Sequence, residues 1–333
     1  MKRYLTVLLF VLPLFLVVVP AALVVYFSPH DGGEKKPLGQ GESQGSQARQ
    51  MTVKVYRTQK QVIESIPLEQ YVEGVVAAEM PAEFELEALK AQALAARTYI
   101  IKRLRDGRFD DVPQGAQVLD TVKHQAYLDE QQRRERWGED FDWKNSKIHQ
   151  AVSATAGIVL TYQGEPIDAT FFSTSNGFTE NANEYWEKSI PYLRSVASPW
   201  DVESPRFEEQ VSMPVEQLEQ KLGVRLDAQA MSKGAWYQVL DKTTGNRIGR
   251  IRIGSKEFTG KEVRERLGLN SSAFTMRLSQ HQVIITTFGY GHGVGMSQWG
   301  ANGMAKSGKK AEQIVKYFYQ GISLQNYGRI IHG

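Results

Sequence analysis

Residues 86–104 read LEALKAQALAARTYIIKRL. Leu, Ala, Lys, Gln and Arg are strong helix formers, and no Gly or Pro interrupts the stretch. It predicts a helix from Glu85 to Arg105, stopped by Asp106-Gly107. Its alanines suit close packing against neighbouring elements. Upstream, Pro81 ends a second predicted helix, Leu68–Glu79, with apolar Val72, Val75 and Val76 and with Pro67 at its start. Before that, Met51–Arg57 and Val62–Ile66 alternate apolar with polar and read as a hairpin. Downstream, Trp143–Ala156 reads as a helix stopped by Gly157. Ile158–Tyr162 and Ile167–Phe172 read as strands around Gln163-Gly164-Glu165, and Ala311–Tyr319 as a final helix. Residues 206–282 have a different texture, with short strands and a small helix at Gly260–Leu267. The expected class is α+β, with one mixed body at 51–205 and 283–333 and an inserted subdomain at 206–282.

The chain has 333 residues and no cysteine, so disulfides, thiolate metal sites and a cysteine nucleophile are excluded together. With 40 basic and 37 acidic residues its formal charge is only +3, and no nucleic-acid partner is expected. The basic run QRRER at Gln132–Arg136 reads as a solvated helix face, with contact to anionic polymers as the alternative. Leu5–Phe27 is nearly unbroken in its apolar character, with Lys2 and Arg3 ahead of it. At about 1.5 Å per residue it is long enough for a hydrocarbon core of roughly 30 Å. Residues 1–27 are therefore expected as a cytoplasmic N-terminus and transmembrane helix, in preference to a cleaved signal peptide, whose apolar run is shorter. Residues 28–50, rich in Gly, Ser and Gln, are expected as a flexible tether. The expectation is a single-pass cell membrane protein with its body outside the cytoplasm.

Four segments carry candidate chemistry. In VVAAEMP, Glu79 follows small apolar residues at the end of a helix. Apolar surroundings and the negative helix end both favour its protonated form, which a general acid needs. In AQALAARTY, Arg97 and Tyr99 lie on an alanine-rich helix, with Gln92 not quite on the face of Arg97. FFSTSNGFTEN, 171–181, is a polar loop after a strand, of the kind that binds sugars or phosphates. GYGHGVGMSQWGA, 289–301, frames Tyr290 and His292 with glycines and offers Trp299 as a flat face for a sugar ring. Dinucleotide, P-loop, nucleophile-elbow and zincin motifs are absent from the sequence.

Together EGVVAAEMP, LKAQALAARTYI, FFSTSNGFTEN, PYLRSVASPWD and GYGHGVGMSQWGA resemble the stage II sporulation protein D family, in the family's order, over about residues 51–333. The resemblance implies a lytic transglycosylase that cuts peptide-stripped glycan strands of peptidoglycan to 1,6-anhydro-muramic ends during sporulation engulfment. It implies work in the space between mother-cell and forespore membranes, alongside stage II sporulation amidase P and membrane protein M. Glu79 is the implied catalytic acid. Gln92, Arg97, Tyr99, Ser173, Ser175, Glu180, Tyr290, His292 and Gln298 are the expected substrate-binding residues. Some relatives bind zinc through a His and two cysteines. Here the region reads DTVKHQAYLDE, with His124 but no thiol, so no metal and no cofactor is expected. Two alternatives stay open: a non-enzymatic glycan-binding or amidase-enhancing protein, and a two-carboxylate hydrolase using Glu83, Glu180 or Asp201 as partner.

Overall fold

The structure is a computed structural model that describes residues 51–331 except Glu187. The chain opens with the hairpin β1 (Thr52–Arg57) and β2 (Val62–Pro67), and runs straight into α1 (Leu68–Glu79) and α2 (Leu86–Asp106). Next come β3 (Val118–Leu119), α3 (Glu130–Trp137), α4 (Phe141–Ser153), β4 (Ile158–Tyr162), β5 (Glu165–Pro166), β6 (Phe171–Phe172) and α5 (Ala182–Trp186). A second stretch holds β7 (Glu208–Pro214), α6 (Val215–Leu222), α7 (Ala228–Ser232), β8 (Tyr237–Lys242), β9 (Ile248–Ile253), β10 (Lys256–Thr259), α8 (Gly260–Leu267), β11 (Phe274–Ser279) and β12 (Gln282–Phe288). The chain closes with β13 (Met296–Ser297), α9 (Gln298–Lys306), α10 (Ala311–Phe318), β14 (Ser323–Asn326) and α11 (Gly328–Ile331).

α2 is the axis of the first core. A helix buried on all sides is a central one, and α2 buries Ala88, Leu89, Ala91, Ala93, Leu94, Ala95, Ala96, Ile100 and Ile101. Small alanines let α1, α4, β4, α9 and α10 pack directly on it. Gly107, at φ 64°, ends it in the left-handed region that favours glycine. The small sheets lie around this helix. β1 pairs antiparallel with β2 and parallel with β3, and β4 pairs with β5 and with β14 from the far end of the chain. A separate apolar core joins Leu218, Leu222, Ile251, Ile253, Val263, Val283 and Ile285 under the sheets β11-β12-β7 and β10-β9-β8.

Three expectations are corrected. The fold class with a transmembrane helix, and with it the single-pass membrane localisation, is not upheld: among the described residues no helix is long and apolar enough to cross a membrane. The anchor and tether assignments, 1–27 and 28–50, lie outside the described residues. Ile167–Phe172 is not a continuous strand. Ile167 and Ala169 turn into the core, and only Phe171–Phe172 pairs, in parallel with Met296–Ser297. Helix α9 opens inside the glycine-rich run, at Gln298, and continues beyond it to Lys306. Its glycines cost helix propensity, but a Cβ at Gly303 would strike Trp200, so close approach of the segment 199–203 requires them.

Candidate functional site

α1 ends at Glu79 because Met80 turns extended and Pro81 follows. Val75, Val76 and Ala77 before it are buried, so the carboxyl sits half-buried at the end of an apolar turn. Burial raises its pKa above the ordinary glutamate value, and the N–H of Ala126, which donates to Oε1 at 2.8 Å, pulls the other way. The Glu79 carbonyl accepts from Nε2 of Gln298 at 3.0 Å. This bond joins the end of α1 to the start of α9.

Glu79 lies in the wall of a cleft of about 880 Å³. Tyr99, Ser173, Tyr290, His292 and Gln298 line the same cleft. Trp299 does too, braced edge-on by Phe84 with ring centroids 4.9 Å apart. The other carboxylate in the lining is Glu83, which Lys144 binds at 2.8 Å, lowering its pKa.

Another part of the wall is built by backbone pairing between the two polar loops. Thr174 N–H donates to the Tyr290 carbonyl at 3.0 Å and Tyr290 N–H returns the bond at 2.7 Å. Trp299 N–H donates to the Ser173 carbonyl at 3.1 Å. Beneath them Asp201 is fully buried, and its carboxylate accepts from the Ser175 N–H at 2.6 Å and from the hydroxyls of Ser198 and Ser297. One buried acid thus ties together three segments distant in sequence.

His292 is held in one tautomer. Its Nδ1 accepts from the Val294 N–H at 3.1 Å, so Nε2 carries the proton and donates to the Phe171 carbonyl at 3.1 Å. Its pKa is pushed down to about 4 by burial and by the guanidinium groups of Arg264 and Arg247, so the ring is neutral. Phe172, Tyr185 and Trp186 surround it with ring centroids 5.4–5.8 Å away. A neutral imidazole locked this way is a wall, not a proton carrier.

Four expected residues do not reach the cleft. Arg97 is fully buried and binds both oxygens of Glu69, the shortest contact 2.6 Å, as well as the carbonyls of Val152 and Ile158 at 3.2 Å. An alanine-rich face let the backbone come close, and the guanidinium became a cross-brace between α2, α1 and the turn after α4. Gln92 lies behind Gln298, its Oε1 3.5 Å from the Gln298 Nε2. Ser175 is buried over Asp201. Glu180 is buried against the turn between β8 and β9, where Thr243 Oγ1 donates to it at 2.9 Å and Arg247 stands nearby. Burial pushes the Glu180 pKa up to about 7, against the pull of Arg247.

Arg206, Gln125 and Trp137 also line the cleft and were not singled out as substrate-binding residues. The stretch DTVKHQAYLDE was read only for metal ligands, yet it supplies Ala126, which holds Glu79. Its His124 has Nε2 2.8 Å from Asp111 and Nδ1 accepting from the Leu119 N–H at 3.2 Å. With both ring nitrogens engaged, no thiols, and no group of three His, Asp or Glu side chains gathered among the described residues, the set does not fit zinc.

A family model described as Stage II sporulation protein matches residues 56–162. The chain is 43% identical to Stage II sporulation protein D of Bacillus subtilis (strain 168), over 97% of this chain and 96% of that one. It is also 43% identical to Stage II sporulation protein D of Bacillus amyloliquefaciens, over 93% and 92%. An Amidase enhancer of Bacillus subtilis (strain 168) is 29% identical over 77% of this chain and 40% of its own length.

Proposed function

The chain belongs to the stage II sporulation protein D family, and from that premise we propose that it is a lytic transglycosylase of peptide-stripped peptidoglycan glycan, acting in sporulation engulfment. The observation that carries this reading is Glu79: one carboxyl kept toward its protonated form by burial, in a sugar-sized cleft, without a second unpaired carboxylate in the lining among the described residues. Hydrolases of the common kind use two carboxylates. Here Glu83 is tied to Lys144, while Glu180 and Asp201 are buried outside the cleft lining. That supports one-acid chemistry over the two-carboxylate alternative.

In this reading Glu79 donates its proton to the glycosidic oxygen as the bond from muramic C1 to that oxygen breaks. The C6 hydroxyl of the same muramic ring then attacks C1 and returns its proton to the Glu79 carboxylate. No water is consumed, and the product carries a 1,6-anhydro ring. Tyr99, Ser173, Tyr290 and Gln298 bind the sugars, and Trp299 offers a ring face. The partners are the glycan strands themselves and, by the resemblance, stage II sporulation amidase P and membrane protein M.

The similarity to an amidase enhancer favours a second reading, in which the cleft binds glycan without cutting it. Mass spectrometry of digested stripped strands separates the two. Anhydro ends from the wild-type protein, lost in Glu79→Gln with glycan binding retained, support the enzyme. Strands bound but uncut support the binding protein, and reducing ends in place of anhydro ends support a hydrolase.

A further inference from the structure

Arg206 stands in the cleft with its guanidinium 4.4 Å above the Tyr290 ring. The side chain is exposed, and among the described residues no carboxylate lies within 4.0 Å of it. Of the other cations of the lining, Lys144 is occupied by Glu83 and Asp140 at 2.8 and 3.2 Å, and Arg136 is exposed on α3 and, among the described residues, lies over no aromatic ring. The seat of Arg206 is built, not incidental. Thr174 holds the Tyr290 backbone through two hydrogen bonds, and its hydroxyl lies 2.8 Å from that of Ser204. Ser204 Oγ in turn accepts from the Arg206 N–H at 3.1 Å. One buried threonine therefore positions both the ring and the residue stacked on it.

Among the described residues the Arg206 guanidinium makes no hydrogen bond, so its donors stay free in the fork geometry that fits a carboxylate. A muramic residue stripped of its stem peptide carries a free lactyl carboxylate. A residue still bearing peptide has that group consumed in an amide. We infer that Arg206 reads the free lactyl carboxylate of muramic acid, and so distinguishes stripped strands from peptide-bearing ones. The inference rests on the proposed glycan-cleaving function. It adds the residue and the charge by which the cleft selects its substrate.

The test compares stripped glycan strands with the same strands after carbodiimide conversion of the lactyl carboxylates to methylamides. Binding is measured by calorimetry, and anhydro ends by mass spectrometry, for the wild-type protein, Arg206→Met and Arg206→Lys. Amidation should weaken wild-type binding roughly three- to tenfold, the range of a charged hydrogen bond at a partly open site. Arg206→Met should bind both strands at the amidated level, and Arg206→Lys should recover part of the difference. Equal wild-type binding to both strands, full discrimination by Arg206→Met, or no wild-type binding to either strand overturns the inference. Discrimination without anhydro ends sinks the transglycosylase reading and leaves the role of Arg206 standing. Anhydro ends without discrimination do the reverse.

Discussion

The backbone N–H of Ala126 donates to Oε1 of Glu79 at 2.8 Å. It is the one bond that opposes burial at this carboxyl. The bond engages Oε1 and leaves Oε2 without a hydrogen-bond donor among the described residues.

The first expectation concerns pH. A general acid must be protonated, so activity falls as pH rises through the Glu79 pKa. Because burial raises that pKa, the alkaline limb of kcat/KM against pH should lie above about 4.3, the ordinary glutamate value. A limb at or below that value would remove Glu79 as the acid.

Arg97 should matter for folding and not for substrate. Arg97→Met strands the Glu69 carboxylate and two carbonyls that the guanidinium now satisfies. The expected loss is about 3–5 kcal/mol in denaturant unfolding. KM of the folded fraction should be unchanged, and a raised KM at constant stability would contradict the buried placement.

Glu180 should give a distinctive pH dependence of stability. Its folded pKa of about 7 exceeds the unfolded value, so the folded state holds the proton more tightly. The stabilisation is full below about pH 4.3 and is lost as pH rises to 7, of order 3 kcal/mol in all. His292 acts in the opposite sense: its folded pKa of about 4 costs stability as pH falls through its unfolded value. The readout is therefore the difference between wild type and Glu180→Gln across pH 4–8. A difference independent of pH would refute the raised pKa.

Asp201 should behave as a structural keystone. Asp201→Ala leaves the Ser175 N–H and two serine hydroxyls without their acceptor, at roughly 3–5 kcal/mol. Asp201→Asn keeps one oxygen acceptor, and rotatable hydroxyls can accept from its amide. Chemical denaturation should therefore show Asn costing less than half of what Ala costs. Equal costs would argue against the network.

What was legible in the sequence followed local patterning. The alternation of Val53 and Val55 forms half of the β1–β2 hairpin, and the alanine-rich stretch forms the buried α2. Glu79 at a helix end was readable because the helix end and the apolar run before it are both local facts. The roles of Arg97 and Glu180 were not readable. A buried guanidinium and an exposed one look alike until their partners, Glu69 and Thr243, are placed by the fold. α9 was hidden because its glycines serve contacts with Trp200, Ser198 and Phe318, which lie elsewhere in the chain. Arg206 was hidden for the same reason: its ring partner lies 84 positions away, at Tyr290.

The bond from Gln298 to the Glu79 carbonyl spans 219 positions. β14, beyond it, completes the sheet that β4 begins. Translation therefore makes Glu79 early and its supporting residues late, and closing a loop of that length costs entropy before the contact is gained. Any product ending before residue 298 carries Glu79 without its brace and without the Trp299 face.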